Sequence, residues 1–307
     1  MKILLTVNAS WNIWSFRRTV VSDLLRAGHG LMVLAPFDDA VAPLRAMGCR
    51  VLPLDIDVRG LNPLRDLALL GQFWRQFRRE RPDVILSYTI KNNIFGAVAA
   101  KWLGIPFVPN VSGLGMVFLS GGTLQRLVEV MYRRAFARPP VVFCQNPDDH
   151  DLFVTRGLIS PEQARVLPGS GIDLVRLAVT PAADPGRPPR FLLIARLLRD
   201  KGVVEFVEAA RRVRAVHPDA RFQLLGAADA ENRSAIDAST LNAWLAEGVV
   251  EHLGTTDDVR TSISEANCVV LPSYREGAPR TLIEAAYRRA IADVIRAAGA
   301  RSGEAAR

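Results

Sequence analysis

Short apolar runs recur along the chain, and each is followed by a stretch whose apolar residues fall three and four apart. In the first half the strand-like runs are KILLTV (2–7), LMVLA (31–35), RVLPL (50–54), DVILSY (83–88), FVPNV (107–111) and VVFCQ (141–145). The intervening stretches 15–27, 38–47, 63–80, 92–103, 123–137 and 147–156 carry helical spacing. Strands that are apolar at consecutive positions are buried on both faces, and their alternation with helices predicts a parallel sheet covered on both sides. Near VTPAADPGRPPR (179–190) the texture changes: four prolines in twelve residues mark a linker. A second series follows, with strands at 191–195, 221–226, 249–254 and 268–273 and helices at 201–216, 236–246, 258–266 and 279–298. The predicted fold class is α/β, with two doubly wound domains, residues 1–178 and 179–307. In such folds ligands bind outside the carboxyl ends of the strands, and a cleft between two facing domains is the expected site.

Composition adds a direction to this picture. At 307 residues, with 49% hydrophobic and 23% charged side chains, the chain is long enough for two ordinary globular domains and is not a disordered polymer. No apolar run reaches the roughly 20 residues needed to cross a bilayer, and the amino-terminal MKILLTVNAS reads as a buried strand, not a signal peptide. Cys49, Cys144 and Cys268 stand far apart in apolar runs, which predicts buried thiols in a reducing compartment and neither disulfides nor a zinc site. The net charge is +8, and the basic excess lies in the first half, at Arg17 and Arg18, in WRQFRRERP (74–82) and at Arg133 and Arg134. Such a surface favours an anionic partner, a lipid phosphate, a nucleic acid or a pyrophosphate; a merely solvated arginine-rich face is the plainer reading. The four histidines form no ligand or catalytic spacing. Asp148 and Asp149 follow QNP at a helix start, where capping is expected. The apolar face of 127–140, flanked by arginines, suits core packing or contact with a membrane.

Candidate chemistry concentrates in the second half. In IARLLRDKG (194–202), Arg196 and Lys201 follow a strand, and Lys201 and Gly202 open the next helix. Two cations beside a helix N-terminus suit a diphosphate. In SYREGAPRTLIEA (273–285), Pro279 suits a first helical turn, Glu276 stands in the loop before it and Glu284 lies on the helix. Carboxylates accept hydrogen bonds in pairs and suit the vicinal hydroxyls of a ribose or hexose, and the backbone from Gly277 onward could approach phosphate or sugar oxygens. In EHLGTTDD (251–258), Gly254 allows close backbone approach at a strand end. Taken singly, each of these has an ordinary reading as a solvated cation, a helix-dipole partner or a turn glycine.

Together these motifs resemble the family-four retaining glycosyltransferases of the GT-B fold. IARLLRDKG followed by EGAPRTLIEA looks like that family's donor signature, in which an Arg–Lys pair precedes two glutamates separated by seven residues. NASWNIWSFR (8–17), YTIKNNIFGAVAAKWLGIPFVPNVSGLGMVF (88–118), FCQNPDDHDLF (143–153) and LPGSGID (167–173) are similar to the branch that builds undecaprenyl-linked polysaccharides and capsules. The resemblance implies a GT-B fold of two Rossmann-like domains facing a cleft. Arg196 and Lys201 would hold the diphosphate of a UDP-sugar and offset the leaving charge. Glu276 would contact the transferred sugar and Glu284 the ribose hydroxyls, with Gly202, Gly254 and Gly277 lining the donor. No metal and no further cofactor are implied, because the cations replace the metal. A lipid-linked (undecaprenyl diphosphate) saccharide would dock on the first domain near Ser10, Arg17, Lys91, Asn92 and the Gly113–Gly115 turn. The partners would be the donor, this acceptor and the anionic inner face of the cytoplasmic membrane, on which the protein would sit peripherally from the cytoplasm; nucleic acid is not expected.

One part of the family pattern is not matched. Beyond Glu284 the family continues with further strands and closing helices, whereas EAAYRRAIADVIRAAGARSGEAAR reads as a continued helix and a polar tail. The expectation is a second domain truncated at its C-terminus, with CVVLPS (268–273) left as an exposed sheet edge. Such a chain would be a retaining hexosyltransferase or, alternatively, an inactive remnant that binds a nucleotide-sugar or a protein partner. A nucleotide-sugar epimerase on the same fold would need an acid/base pair, and the sequence offers none that convinces.

Overall fold

The computed structural model describes residues 1–58, 60, 62–113, 118, 122–172, 187–228, 232, 234–256, 258–287 and the backbone of 291–293. The chain divides into two compact units, Met1–Gly171 and Ile172–Arg307. The expected boundary at 178, most of the proline-rich linker, Gly115 and the end of the tail lie outside the described residues.

The first unit runs β1 (Lys2–Thr6), α1 (Ser10–Phe16), α2 (Arg18–Arg26), β2 (Gly30–Ala35), α3 (Val41–Ala46), β3 (Arg50–Pro53), α4 (Pro63–Glu80), β4 (Val84–Tyr88), α5 (Ile90–Leu103), β5 (Phe107–Val111), α6 (Gly122–Ala135), β6 (Val142–Cys144), α7 (Pro147–Thr155) and β7 (Ala164–Val166). All neighbouring strands are parallel, in the order β3-β2-β1-β4-β5-β6-β7. Successive strand residues point to opposite faces, and the apolar runs use both. Leu4, Met32 and Leu34 join one core with Phe73, Phe77 and Phe107. Ile3, Leu5, Val33 and Ala35 join a second with Ile13, Val21 and Leu44. The single helix expected over 15–27 is two helices, broken at Arg17 (φ −133°, ψ 13°). The cap of α7 is Asn146, whose side chain accepts from the Asp149 amide at 2.6 Å; Asp148 and Asp149 occupy the first turn and are not the cap. The short β7 went unpredicted because three residues carry too little pattern to read.

The second unit runs β8 (Arg190–Ile194), a 3₁₀ turn (Arg199–Lys201), α8 (Val203–Val216), β9 (Arg221–Leu225), α9 (Ala238–Ala246), β10 (Glu251–His252), α10 (Arg260–Glu265), β11 (Cys268–Val270), α11 (Arg280–Tyr287) and β12 (Ile291–Asp293). Its sheet is also parallel, in the order β10-β9-β8-β11-β12. Cores on the two faces are built around Phe206, Phe222 and Trp244, and around Ile263, Leu271 and Leu282. The last helix departs from expectation. It stops at Tyr287, and β12 pairs with β11 in the register Cys268↔Ile291, so β11 is not the sheet edge. The Ala- and Arg-rich composition read as helix by propensity; pairing along the sheet overrides it.

Both sheets share one topological feature. The chain lays two strands, β2 and β3, outward from β1 and then crosses to place β4 on its other side. It does the same with β8 and β11. In open α/β sheets this switch point leaves a crevice at the strands' carboxyl ends, where ligands bind.

Candidate functional site

In the second unit the switch point lies between β8 and β11, and Lys201, Gly202 and Glu276 meet there. The loop after β8 turns at Gly202, which has φ +74°. A Cβ at that position would come within 2.1 Å of the Pro272 carbonyl oxygen, so glycine is what lets the two loops touch. Side chains and backbone fasten the contact. The Tyr274 amide and the Ser273 hydroxyl both donate to the Asp200 carbonyl, each at 3.1 Å, and the Ser234 hydroxyl donates to the Asp200 carboxylate at 2.6 Å. Across this junction the Lys201 ammonium meets the Glu276 carboxylate at 2.6 Å. Both side chains are partly open to solvent.

Glu284 lies on α11 with its side chain only 7% exposed, and the Arg280 Nε–H donates to its Oε1 at 2.6 Å. Arg280 stands one helical turn before Glu284, the spacing at which helix side chains meet. Sequence reasoning passed over Arg280, although that spacing was there to be read. Tyr274 was also missed. Its hydroxyl donates to Glu205 on α8, and this carboxylate raises the Tyr274 pKa. Arg196 is exposed on the loop after β8. Gly254 lies two residues after β10 with φ +74° and open space where a Cβ would be, and its carbonyl accepts the Gly226 amide at 2.8 Å. Gly226 itself is required, because a Cβ there would fall 1.9 Å from the Ala195 carbonyl oxygen. The loops after β8 and β9 thus approach their neighbours closely, the Lys201–Glu276 ion pair spans one junction, and α11 carries a second ion pair, Arg280–Glu284.

In the first unit the equivalent crevice lies between β1 and β4. The Ser10 hydroxyl, at the start of α1, donates to the Pro36 carbonyl at 2.7 Å. Asn92 is fully buried; its Nδ2 donates to the Thr6 hydroxyl and its Oδ1 accepts from Thr89, each at 2.8 Å, which ties α5 to the end of β1. Lys91 reaches away to the Asp66 carboxylate at 2.6 Å and the Gly60 carbonyl at 2.8 Å, and so pins α4 to α5. Arg17 is buried with its guanidinium carbon 3.8 Å from the centroid of the Tyr88 ring. Gly113, two residues after β5, has φ +134°. Structure therefore brings Ser10, Arg17 and Asn92 around one strand crossing and turns Lys91 to a bracing role.

A pair of doubly wound sheets with candidate chemistry at each switch point is the architecture of GT-B glycosyltransferases. The chain superimposes on a sucrose-phosphate synthase from Thermosynechococcus elongatus with a TM-score of 0.72, at 18% identity, covering 95% of this chain and 80% of that one. It superimposes on the Anabaena protein HepE in complex with UDP and glucose with a TM-score of 0.69, at 16% identity, covering 94% and 78%. At these identities the likeness is one of fold. Residues 13–170 match the glycosyl transferase 4-like domain family and residues 188–292 match the glycosyl transferases group 1 domain; the chain belongs to the glycosyl transferase 4-like family. Among curated relatives, the N,N'-diacetylbacillosaminyl-diphospho-undecaprenol alpha-1,3-N-acetylgalactosaminyltransferase of Campylobacter jejuni is 28% identical over 93% of this chain and 78% of its own length. The UDP-Gal:alpha-D-GlcNAc-diphosphoundecaprenol alpha-1,3-galactosyltransferase of Escherichia coli is 25% identical over 74% of this chain and 61% of its own. Both relatives are transferases, which favours transfer over a binding-only role.

Proposed function

We propose that the protein moves a sugar from a UDP-sugar to a saccharide carried on undecaprenyl diphosphate, with retention of anomeric configuration. The observation that carries the reading is the meeting of Lys201 and Glu276 at the second switch point, beside the buried carboxylate of Glu284. Glu276 neutralises Lys201 at 2.6 Å. A donor would exchange that contact for two better ones, its diphosphate taking Lys201 and Arg196 and its sugar hydroxyls taking Glu276. Glu284 would accept from the ribose hydroxyls, and the backbone at Gly202, Gly254 and Gly277 would line the nucleotide. As the bond to the sugar breaks, negative charge grows on the leaving diphosphate. The fixed cations stabilise it more than they stabilise the intact donor, which is the requirement for lowering a barrier. They supply the charge that a divalent ion supplies elsewhere, so no metal is needed. Retention fits the relatives' names: an α-linked UDP-galactose that yields an alpha-1,3 product keeps its configuration.

The acceptor would dock at the first switch point, around Ser10, Arg17, Asn92 and Gly113. The helices α4, α5 and α6 pack side by side on one face of that sheet. Their outer surface exposes Leu64, Leu67, Trp102 and Leu127 among Arg75, Arg78, Arg126 and Arg134. Apolar side chains set among arginines suit the anionic surface of a bilayer, which would hold the protein peripherally at the cytoplasmic face where a lipid-linked acceptor is presented. Among the described residues no helix is long and apolar enough to cross a membrane.

The test is UDP release and sugar transfer into a membrane extract by the full chain and by Glu276→Ala. The reading expects at least a 100-fold loss in the variant, in the range of other electrostatic contributions to transition-state binding. Equal, background-level release from both proteins would overturn it.

A further inference from the structure

Arg17 is 5% exposed. Its recorded partners are neutral: the Asn12 side-chain oxygen, which accepts from Nη1, and the Tyr88 ring and hydroxyl. Among the described residues no carboxylate pairs with it. A guanidinium is among the costliest groups to bury without a counter-charge, and burial drives its pKa down, only partly offset by Tyr88. Its position is not incidental. Arg17 is the residue at which the expected single helix breaks into α1 and α2, and Tyr88 is the last residue of β4. The cation therefore lies at the β1–β4 switch point, where the fold places ligands. On α1, one and a half turns before it, Trp11 is exposed and Asn12 is partly so.

We infer that Arg17 is the anion-binding residue of the first unit and that it receives a phosphate of the lipid diphosphate acceptor. The planar fork of a guanidinium, held over an aromatic ring with 3.8 Å between its carbon and the ring centroid, matches the paired oxygens of a phosphate. The missing negative charge then arrives with the substrate. This rests on the acceptor reading above and adds the group recognised and the residue that recognises it.

Calorimetry on the full chain, with the donor site filled by saturating UDP, tests it. The probes are geranyl diphosphate, geraniol and inorganic pyrophosphate. The wild type is expected to bind geranyl diphosphate at least tenfold more tightly than either control. Arg17→Met should lose at least tenfold of that affinity, and Arg17→Lys, which keeps the charge without the fork, should fall between. UDP affinity should be unchanged in both. The thermal midpoint of Arg17→Met should hold or rise, because an uncompensated buried cation has been removed. Unchanged geranyl diphosphate binding in Arg17→Met overturns the proposal, as does a fall in its thermal midpoint with binding intact, the mark of a structural cation. Equal affinity for inorganic pyrophosphate would assign the site to free anions and overturn the lipid acceptor. Should Arg17→Met fail to fold, Arg17→Lys carries the same comparison. Absence of UDP binding in the wild type would strike the donor reading instead.

Discussion

Gly202 sets how closely two loops approach, and the proposed donor chemistry depends on that approach. Gly202→Ala should cost about 1–2 kcal/mol from the left-handed backbone alone, and more from the overlap with the Pro272 carbonyl. Urea denaturation should show the loss, and calorimetry should show weakened UDP binding in the protein that remains folded. A variant that binds UDP as tightly as the wild type would mean the loops need not touch. Arg280 invites a different measurement. If it orients Glu284 toward the ribose, the wild type should prefer UDP over 2',3'-dideoxy-UDP and Arg280→Met should lose that preference, with UDP affinity down about tenfold, the equivalent of about 1.4 kcal/mol. Arg280→Lys should recover part of it. Equal weakening of both nucleotides would assign Arg280 to the phosphates or to the fold.

At the scale of elements, α7 shows what a single cap contributes. Asn146→Ala leaves the Asp149 amide without its acceptor and should lower stability by about 1 kcal/mol, read from the urea midpoint; no change would mean that water serves the amide as well. The same helix shows where local reading stops. Sequence placed Asp148 and Asp149 at a capping site, and the structure moves that role to Asn146, because only the residue with extended backbone ahead of Pro147 can aim its side chain back at the first turn. The broken helix at Arg17 and the strand β12 were missed for a related reason. Periodicity reports which face is apolar, while a helix break and an edge pairing are settled by what the neighbouring strands offer. The α/β class and most strand positions were legible because parallel strands are apolar at nearly every position. Glu276 and Lys201 each had an ordinary reading alone and stood out only when the two segments were read together; the glycine–proline contact that joins them leaves no mark in either segment alone.

For the whole molecule, burial of ionisable groups sets an alkaline limit. Burial pushes the Cys49 thiol from its ordinary 9.0 up to about 11 and the Cys144 thiol up to about 12, and the buried Tyr132 phenol moves the same way. In the unfolded chain the thiols ionise first. Their contribution to stability is therefore complete below pH 9 and is lost as the pH climbs from there through 11 and 12. The urea midpoint should fall over that window, and Cys144→Ala should flatten the fall; a profile as steep in the variant as in the wild type would assign it to other groups. The basic, partly apolar surface over α4, α5 and α6 belongs to the same scale. Vesicles containing a third phosphatidylglycerol should retain the protein at low salt and release it at about 0.5 M, where the screening length shrinks to a few ångströms. Retention independent of both salt and lipid charge would remove the arginines from the account.

The Lys201–Glu276 contact spans 75 residues of chain. Closing so long a loop draws on entropy that only the surrounding sheet can offset, and contacts of this separation slow the folding of the domains that contain them. The proposed donor site should then be a late product of refolding. Helix signal should recover first, and the ability to quench a fluorescent UDP analogue should follow in a slower phase. UDP in the refolding buffer would raise the final yield without hastening that phase, because it has nothing to bind until Lys201 and Glu276 stand side by side.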